Sequence, residues 1–256
     1  MSSKDLMFMN WQEMITPEKV QVTSDGTYGK FVCEPLERGF GITIGNSLRR
    51  IILSSLYGAA ITSVKFDSVM HEFSVIPGVF EDVSEIILNL KSIRFKTKNA
   101  SPRTIHIEKD TEGPVTAADI VSDDGGCEVL NPGQHIATLS SEGQLKMEMT
   151  VNVGKGYALS EQNKDEDAPV GSIPIDAVFS PIKRVNYVVT NARVGQRTDY
   201  DKLTMEIWTD GSIQPEDAVS YAAKIIKEQM SIFINFDEAV EPSQEKQVSD
   251  GDTSDF

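Results

Sequence analysis

Glycines 39, 41 and 45 crowd into one short stretch, and Gly154-Lys155-Gly156 places a lysine between two more. Glycines in turns can let a phosphate approach backbone N–H groups, so nucleotide binding is the first chemistry to weigh. The first cluster does not have the G-x-G-x-x-G spacing, and no Gly-Lys-Ser/Thr closes a phosphate loop. Gly154 to Gly156 follows an alternating strand and reads as a turn, with phosphate cradling as the alternative. Metal and acid–base chemistry come next. His71, His106 and His135 are scattered, and none has the i, i+4 spacing of a helix-borne zinc pair. The paired acids Glu81-Asp82, Asp123-Asp124 and Asp165-Glu166-Asp167 fall where loops or helix starts are expected, so solvation or helix-dipole pairing explains them. An acidic loop at 161–168 could also dock a basic regulator. Cys33 and Cys127 are isolated thiols, which fit neither a disulfide framework nor a paired-cysteine zinc site and read as small core residues.

Arg49 and Arg50 remain, and their meaning depends on the element that carries them. Phe40, Ile44, Leu48, Ile51, Ile52 and Leu56 recur at helical spacing, which predicts a helix from Phe40 to Leu56. Two adjacent arginines cannot both enter one core, so at least one projects toward solvent or toward a partner's acidic or carbonyl groups. Gly41 and Gly45 lie one helical turn apart and would let another backbone come close. The pattern by itself favours a solvated flank over a docking face, because charged residues beside a helical stripe usually mark only a wet face.

Two more helices are expected. Val79, Val83, Ile86, Ile87 and Leu90 predict a core helix over Val79 to Leu90. Pro215 at a favoured first position, with Glu216 and Asp217 beside it, starts a helix running to about Asn235. Its apolar residues, Val219, Ala222, Ala223, Ile225, Ile226, Met230, Ile232 and Phe233, make a surface wider than one sheet covers. That breadth fits a subunit contact or burial between two layers of one chain. Strands are predicted at Gln144 to Val153, the cleanest alternation, and at Tyr28 to Glu34, Ile61 to Phe66, Ile93 to Lys98, Thr104 to Glu108, Val185 to Thr190 and Leu203 to Trp208. Turn residues between them point to mostly antiparallel sheets.

The 256 residues allow one large or two intertwined domains, and 39% hydrophobic with 25% charged content is ordinary globular usage. No apolar run approaches the ~20 residues of a membrane span. Met1 to Asn10 lacks a basic region followed by an apolar core, which predicts a cytoplasmic protein. The formal charge of −15 is opposite to that of a protein gripping phosphate backbones alone. Glu238 to Phe256 holds six acidic residues and one lysine, and reads as a solvated, disordered tail.

The run Glu34-Pro35-Leu36-Glu37-Arg38-Gly39-Phe40-Gly41, followed by Gly45-Asn46-Ser47-Leu48-Arg49-Arg50-Ile51, closely resembles the bacterial RNA polymerase alpha-subunit family. His71-Glu72-Phe73, Glu81-Asp82 through Asn89-Leu90-Lys91, Gly113 to Ile120, Gly154 to Tyr157 and Val194 to Lys202 resemble it in the same order. The resemblance covers residues 15 to 237. It implies an α+β protein in which a discontinuous dimerisation domain, residues 1–57 plus 181–237, packs helices on an antiparallel sheet. A mostly β domain, residues 58–180, is inserted between those parts, and 238–256 begins an interdomain linker. Family members usually continue into a separate helical DNA-binding domain, so DNA would be met only through that domain or the assembled enzyme.

The resemblance also implies a homodimer that recruits the beta and then the beta-prime subunit, with omega and sigma joining the complex. The chain would be part of a nucleotidyltransferase while holding no active site, cofactor or metal. By position, Arg50 and Leu53 match the family's beta contact, and Lys91 and Ile175 its beta-prime contact. Phe40, Gly41, Ile44, Gly45, Leu48, Ile226, Met230 and Phe233 would form the dimer interface. The alternative is a scaffold of another multisubunit complex.

Overall fold

A computed structural model describes residues 15, 17, 19–122, 125–165, 168–194 and 197–234. The acidic stretch 238–256, Asp123-Asp124 and Glu166-Asp167 lie outside them. The chain is α+β, and its apolar side chains gather into two main cores.

The first core draws on both ends of the sequence. β1 (Gln21–Asp25), β2 (Tyr28–Leu36), β14 (Ile182–Val194) and β15 (Arg197–Thr209) form an antiparallel sheet in the order β1-β2-β15-β14. Two helices, α1 (Phe40–Ser54) and α3 (Pro215–Ser231), lie against one face of it and touch each other. Strand alternation decides which face that is. Leu203, Met205 and Ile207 turn inward and are buried, as are Phe31 and Val185. On the opposite face Lys202 pairs with Glu34 at 2.8 Å, Tyr28 donates to Glu206 at 2.8 Å, and Arg184 stacks 4.9 Å over the Trp208 ring.

The second core is built from the middle of the chain. β3 (Tyr57–Phe66), β4 (Phe95–Thr97), β5 (Arg103–Lys109), β7 (Val121–Ser122), β8 (Cys127–Val129) and β10 (Leu145–Lys155) make a sheet in the order β7-β5-β10-β3-β4-β8, with β12 (Ser172–Pro174) added to β3. Two small antiparallel pairs accompany it: β6 (Gly113–Thr116) with β9 (His135–Leu139), and β11 (Tyr157–Ala158) with β13 (Ala177–Val178). The alternation expected around Gln144 to Val153 is realised in β10, where Leu145, Met147, Met149 and Val151 are buried. α2 (Val83–Leu90) seals this core with Val83, Ile86, Ile87 and Leu90, all buried.

α2 starts four residues later than the periodicity suggested. Val79 pairs with Leu139 and Val75 with Asp82 in isolated β-bridges, so the backbone before Val83 is already committed to strand-like hydrogen bonds. Asp82 then caps the helix, accepting from the Glu85 N–H at 2.7 Å. The acidic pair thus divides: Asp82 caps, and the Glu81 carboxylate accepts from the Thr138 N–H at 2.6 Å and contacts His135 Nε2 at 2.9 Å.

The two halves meet where the chain passes between them. Phe179 packs with Ala60 and Ala177 in a small third cluster. A Cβ on Gly58 would lie 2.0 Å from the Phe179 carbonyl oxygen, so only glycine lets the outgoing and returning strands approach this closely. Ser180 Oγ donates to the Leu53 carbonyl at 3.4 Å, which ties the return to the end of α1.

Candidate functional site

Helix α1 is seated from the far end of the sequence. Its own N-cap, Gly39, carries no side chain, and a strand residue supplies the missing acceptor. The Asp201 carboxylate in β15 accepts from the N–H groups of Gly39 at 2.9 Å and Gly41 at 3.0 Å, placing a negative charge at the positive end of the helix. Glu34 to Ser55 and Val194 to Lys202, two stretches that carry the resemblance, are therefore fastened together by Asp201 and by the Glu34–Lys202 ion pair.

Gly41 and Gly45 serve a different neighbour from the one expected. A Cβ on Gly41 would sit 2.8 Å from Val189 Cγ1, and one on Gly45 would sit 2.7 Å from the Tyr187 ring. Both glycines are buried against the chain's own β14 and β15, so the close approach they permit is to this sheet and not to another backbone. Leu48 and Ile51 are half-buried against the same core, and Ile52 is fully buried.

The opposite side of α1 faces out. Arg49 and Arg50 are both exposed, and neither has an ion-pair partner among the described residues. Leu53, one turn from Arg49, is 38% exposed. A guanidinium with free donors beside an aliphatic side chain suits a carboxylate- or carbonyl-bearing protein surface. Phe40 is also exposed, while Ile44 is half-buried.

The wide apolar surface of α3 divides along its length. Ala218 and Ala222 are buried, Val219 and Ile225 pack against the same core, and Ile226 is half-buried. Beyond Ile226 the helix leaves its sheet, and Met230, Ile232 and Phe233 are 58%, 81% and 78% exposed. Large apolar groups this open at a helix end mark a contact surface.

Lys91 and Ile175 fare differently from each other. Lys91 follows α2, and its ammonium reaches Asp176 Oδ2 at 3.1 Å. Ile175 is buried: its N–H donates to the Thr62 carbonyl at 2.9 Å, and its own carbonyl accepts from Asn163 Nδ2 at 2.8 Å. Its side chain is a core group and is not offered to a partner; the neighbour that reaches the surface is Asp176. Asp176 Oδ1 accepts from the Ser160 N–H at 2.8 Å, and the Tyr157 hydroxyl lies near the same carboxylate. That backbone donor, then Lys91 and Tyr157, hold its pKa down to about 2, while the same contact raises that of Tyr157.

Sequence reasoning passed over Asp176, Tyr157 and Asp201 as site residues. Asp176 signals itself only through long-range contacts, and Tyr157 closes a stretch that carries the resemblance, which does not show what it faces. Asp201 lies inside a stretch that carries the resemblance, but a helix cap is normally sought next to its helix.

Among the described residues no group of three or more histidine, cysteine or acidic side chains could hold a metal ion. Cys33 and Cys127 are free and half-buried, and burial pushes the Cys127 thiol up to about 11, far from a reactive thiolate. The Gly154-Lys155-Gly156 run turns only at Gly156, since Gly154 and Lys155 belong to β10 and Gly154 lies under the Phe179 ring. A cleft of about 450 Å³ opens beside Thr62, the extra residue of a bulge between β3 and β10. Its lining includes hydroxyls and the amide of Asn152, whose Oδ1 has no hydrogen-bond partner. No helix among the described residues is long and apolar enough to cross a membrane.

Residues 64–180, the part of the chain that holds the second core, match the family model described as the RNA polymerase Rpb3/RpoA insert domain. The whole chain is similar to curated proteins named DNA-directed RNA polymerase subunit alpha. It is 68% identical to the one from Desulfosudis oleivorans over 93% of this chain and 70% of the relative. It is 64% identical to that of Desulforapulum autotrophicum over 100% and 75%, and 60% identical to that of Geobacter metallireducens over 95% and 72%.

Proposed function

The chain belongs to the family of DNA-directed RNA polymerase alpha subunits, and from that premise we propose how its two halves divide the work of assembly. As an alpha subunit it is part of the enzyme that transcribes DNA, and it acts as a scaffold while the nucleotidyl transfer is carried out elsewhere in the complex. Residues 1–57 and 181–237 form the dimerisation domain, and 58–180 form a domain inserted into it. Two copies meet through Phe40, Ile44 and Leu48 of α1, Ile226 and Met230 of α3, and Phe233 just past its end, an isologous contact about a two-fold axis. Gly41 and Gly45 act one step behind that interface by letting α1 lie close on its sheet. Arg50 and Leu53 then receive the beta subunit, and the Lys91 side of the inserted domain receives beta-prime.

The observation that carries this reading is the outward face of α1. Its inner side is fixed by two glycines and a carboxylate from β15, while a charged and an apolar side chain stand free on the other. A rigid helix with uncommitted donors is preorganised for binding, because little further ordering is needed on contact. Arg50→Ala should leave a dimer of unchanged mass in sedimentation yet abolish beta capture in pull-down. A variant dimer that captures beta as the parent does would remove Arg50 from the contact.

A further inference from the structure

Helix α1 begins with little help from its own sequence. Its N-cap is a glycine held at φ +90°, and its first turn carries no acidic side chain. Gly41 and Gly45 are poor helix formers. A short helix on its own is marginal in water, and such a start would fray. Phe40 and Ile44, two of the residues assigned above to the contact with a second copy, sit at this start.

What the start lacks is supplied from β15. Leu203, Met205 and Ile207 form the buried inner row of that strand, and by alternation Asp201 continues the row toward the head of α1. A bulge sets its height. Between the pairs Leu36–Asp201 and Cys33–Leu203, Glu34 and Pro35 of β2 lie against Lys202 alone. Asp201 is thereby level with Leu36, the last residue of β2, just before the chain turns into α1. From there its Oδ2 accepts from both Gly39 and Gly41, while the Phe40 N–H goes to the Glu37 carbonyl at 3.0 Å. The packing is equally close: a Cβ on Gly41 would lie 3.1 Å from Asp201 Cβ.

We infer that Asp201 is the positioning residue for self-association: it orders the start of α1, and with it Phe40 and Ile44, before the second copy arrives. The inference rests on the dimer contact given above to those two residues. Removing the carboxylate leaves the Gly39 and Gly41 N–H groups without their acceptor, and the start of the helix then has to be ordered on association. An isologous contact brings two copies of α1 together, so that ordering is met twice in each dimer. The competence of α1 to pair thus depends on a strand residue 160 positions further along the chain than Gly41.

The test is made on the full chain by sedimentation equilibrium, with hydrogen exchange of residues 39–44 measured on the dilute monomer. Asp201→Ala should raise the dimer dissociation constant by at least about fivefold, as expected when a helix cap is lost in each of two copies, and should speed exchange in that segment. Asp201→Asn keeps an acceptor and should recover part of both. Asp82→Ala, which removes the cap of α2 in the other core, is the reference and should leave the dissociation constant as in the parent. Equal weakening by Asp82→Ala would mean that general loss of stability explains the effect, and would overturn the proposal. If Phe40→Ala weakens the dimer and Asp201→Ala does not, Asp201 has no part in pairing and the dimer reading survives. If Phe40→Ala leaves the dimer unchanged, the contact itself is misassigned and the proposal falls with it. Should Asp201→Ala fail to fold, Asp201→Ser, with a hydroxyl too short to reach both N–H groups, carries the same prediction.

Discussion

Helices α2 and α3 carry the same kind of sequence signal and end in opposite situations. All four core-facing residues of α2, Val83, Ile86, Ile87 and Leu90, are buried by its own domain. α3 buries only Pro215, Ala218 and Ala222 fully, and its apolar residues grow more exposed toward Met230 and Phe233. α1 resembles α3, with Phe40 and Ile42 in the open. An amphipathic pattern therefore says that a face will be covered, without saying by which chain. What separates the cases is fit: the stripe of α2 matches one sheet, whereas that of α3 is wider and longer than its sheet can cover.

The contrast can be broken most forcefully at Ile86, which is fully buried. Ile86→Ala should lower the unfolding free energy by about 2 to 5 kcal/mol in denaturant melts. A loss under about 1 kcal/mol would mean that this core collapses around the gap, and the contrast with α3 would weaken. Asp201→Ala is next in size. Removing the acceptor shared by Gly39 and Gly41 should cost about 0.5 to 2 kcal/mol, the range of a helix cap, with Asp201→Asn recovering part of it. Equal losses for Ala and Asn would show that the charge, and not the acceptor, holds α1. Phe233→Ala should have the smallest effect on the fold. The melt of the dilute chain should change by no more than about 0.5 kcal/mol, while sedimentation shows weaker self-association. A loss as large as that of Ile86→Ala would place Phe233 in a core and erase the distinction.

How far these features could be read from sequence depends on the range of the interactions behind them. β10 was legible because strand alternation is local: four buried residues two apart are visible in one short window. The long strands β14 and β15 are legible only at their apolar centres, because their ends carry Lys183, Arg193, Asp199 and other polar side chains that interrupt the apolar alternation. The starts of α1 and α2 show the limit more sharply. Asp82 caps α2 from the adjoining position, as a local signal should, but α1 borrows Asp201 from across the sheet. Gly41 and Gly45 announced a close approach and left its partner open, since a missing side chain does not say what fills the space. Ile175 was identified by position in a motif, and position carries no information about burial.

The crossing at Gly58 and Phe179 has a consequence for the cost of folding. Leu36 and Asp201 are partners in the sheet although 164 residues lie between them, and an open loop of that length costs on the order of 4 kcal/mol to close. The second core lies almost wholly within that loop, and its two ends come together at Gly58 and Phe179. Once the inner residues have gathered around that core, the outer strands are joined by a short tether, and most of the closure entropy has already been met. The inner half therefore acts on the outer one much as a covalent crosslink would.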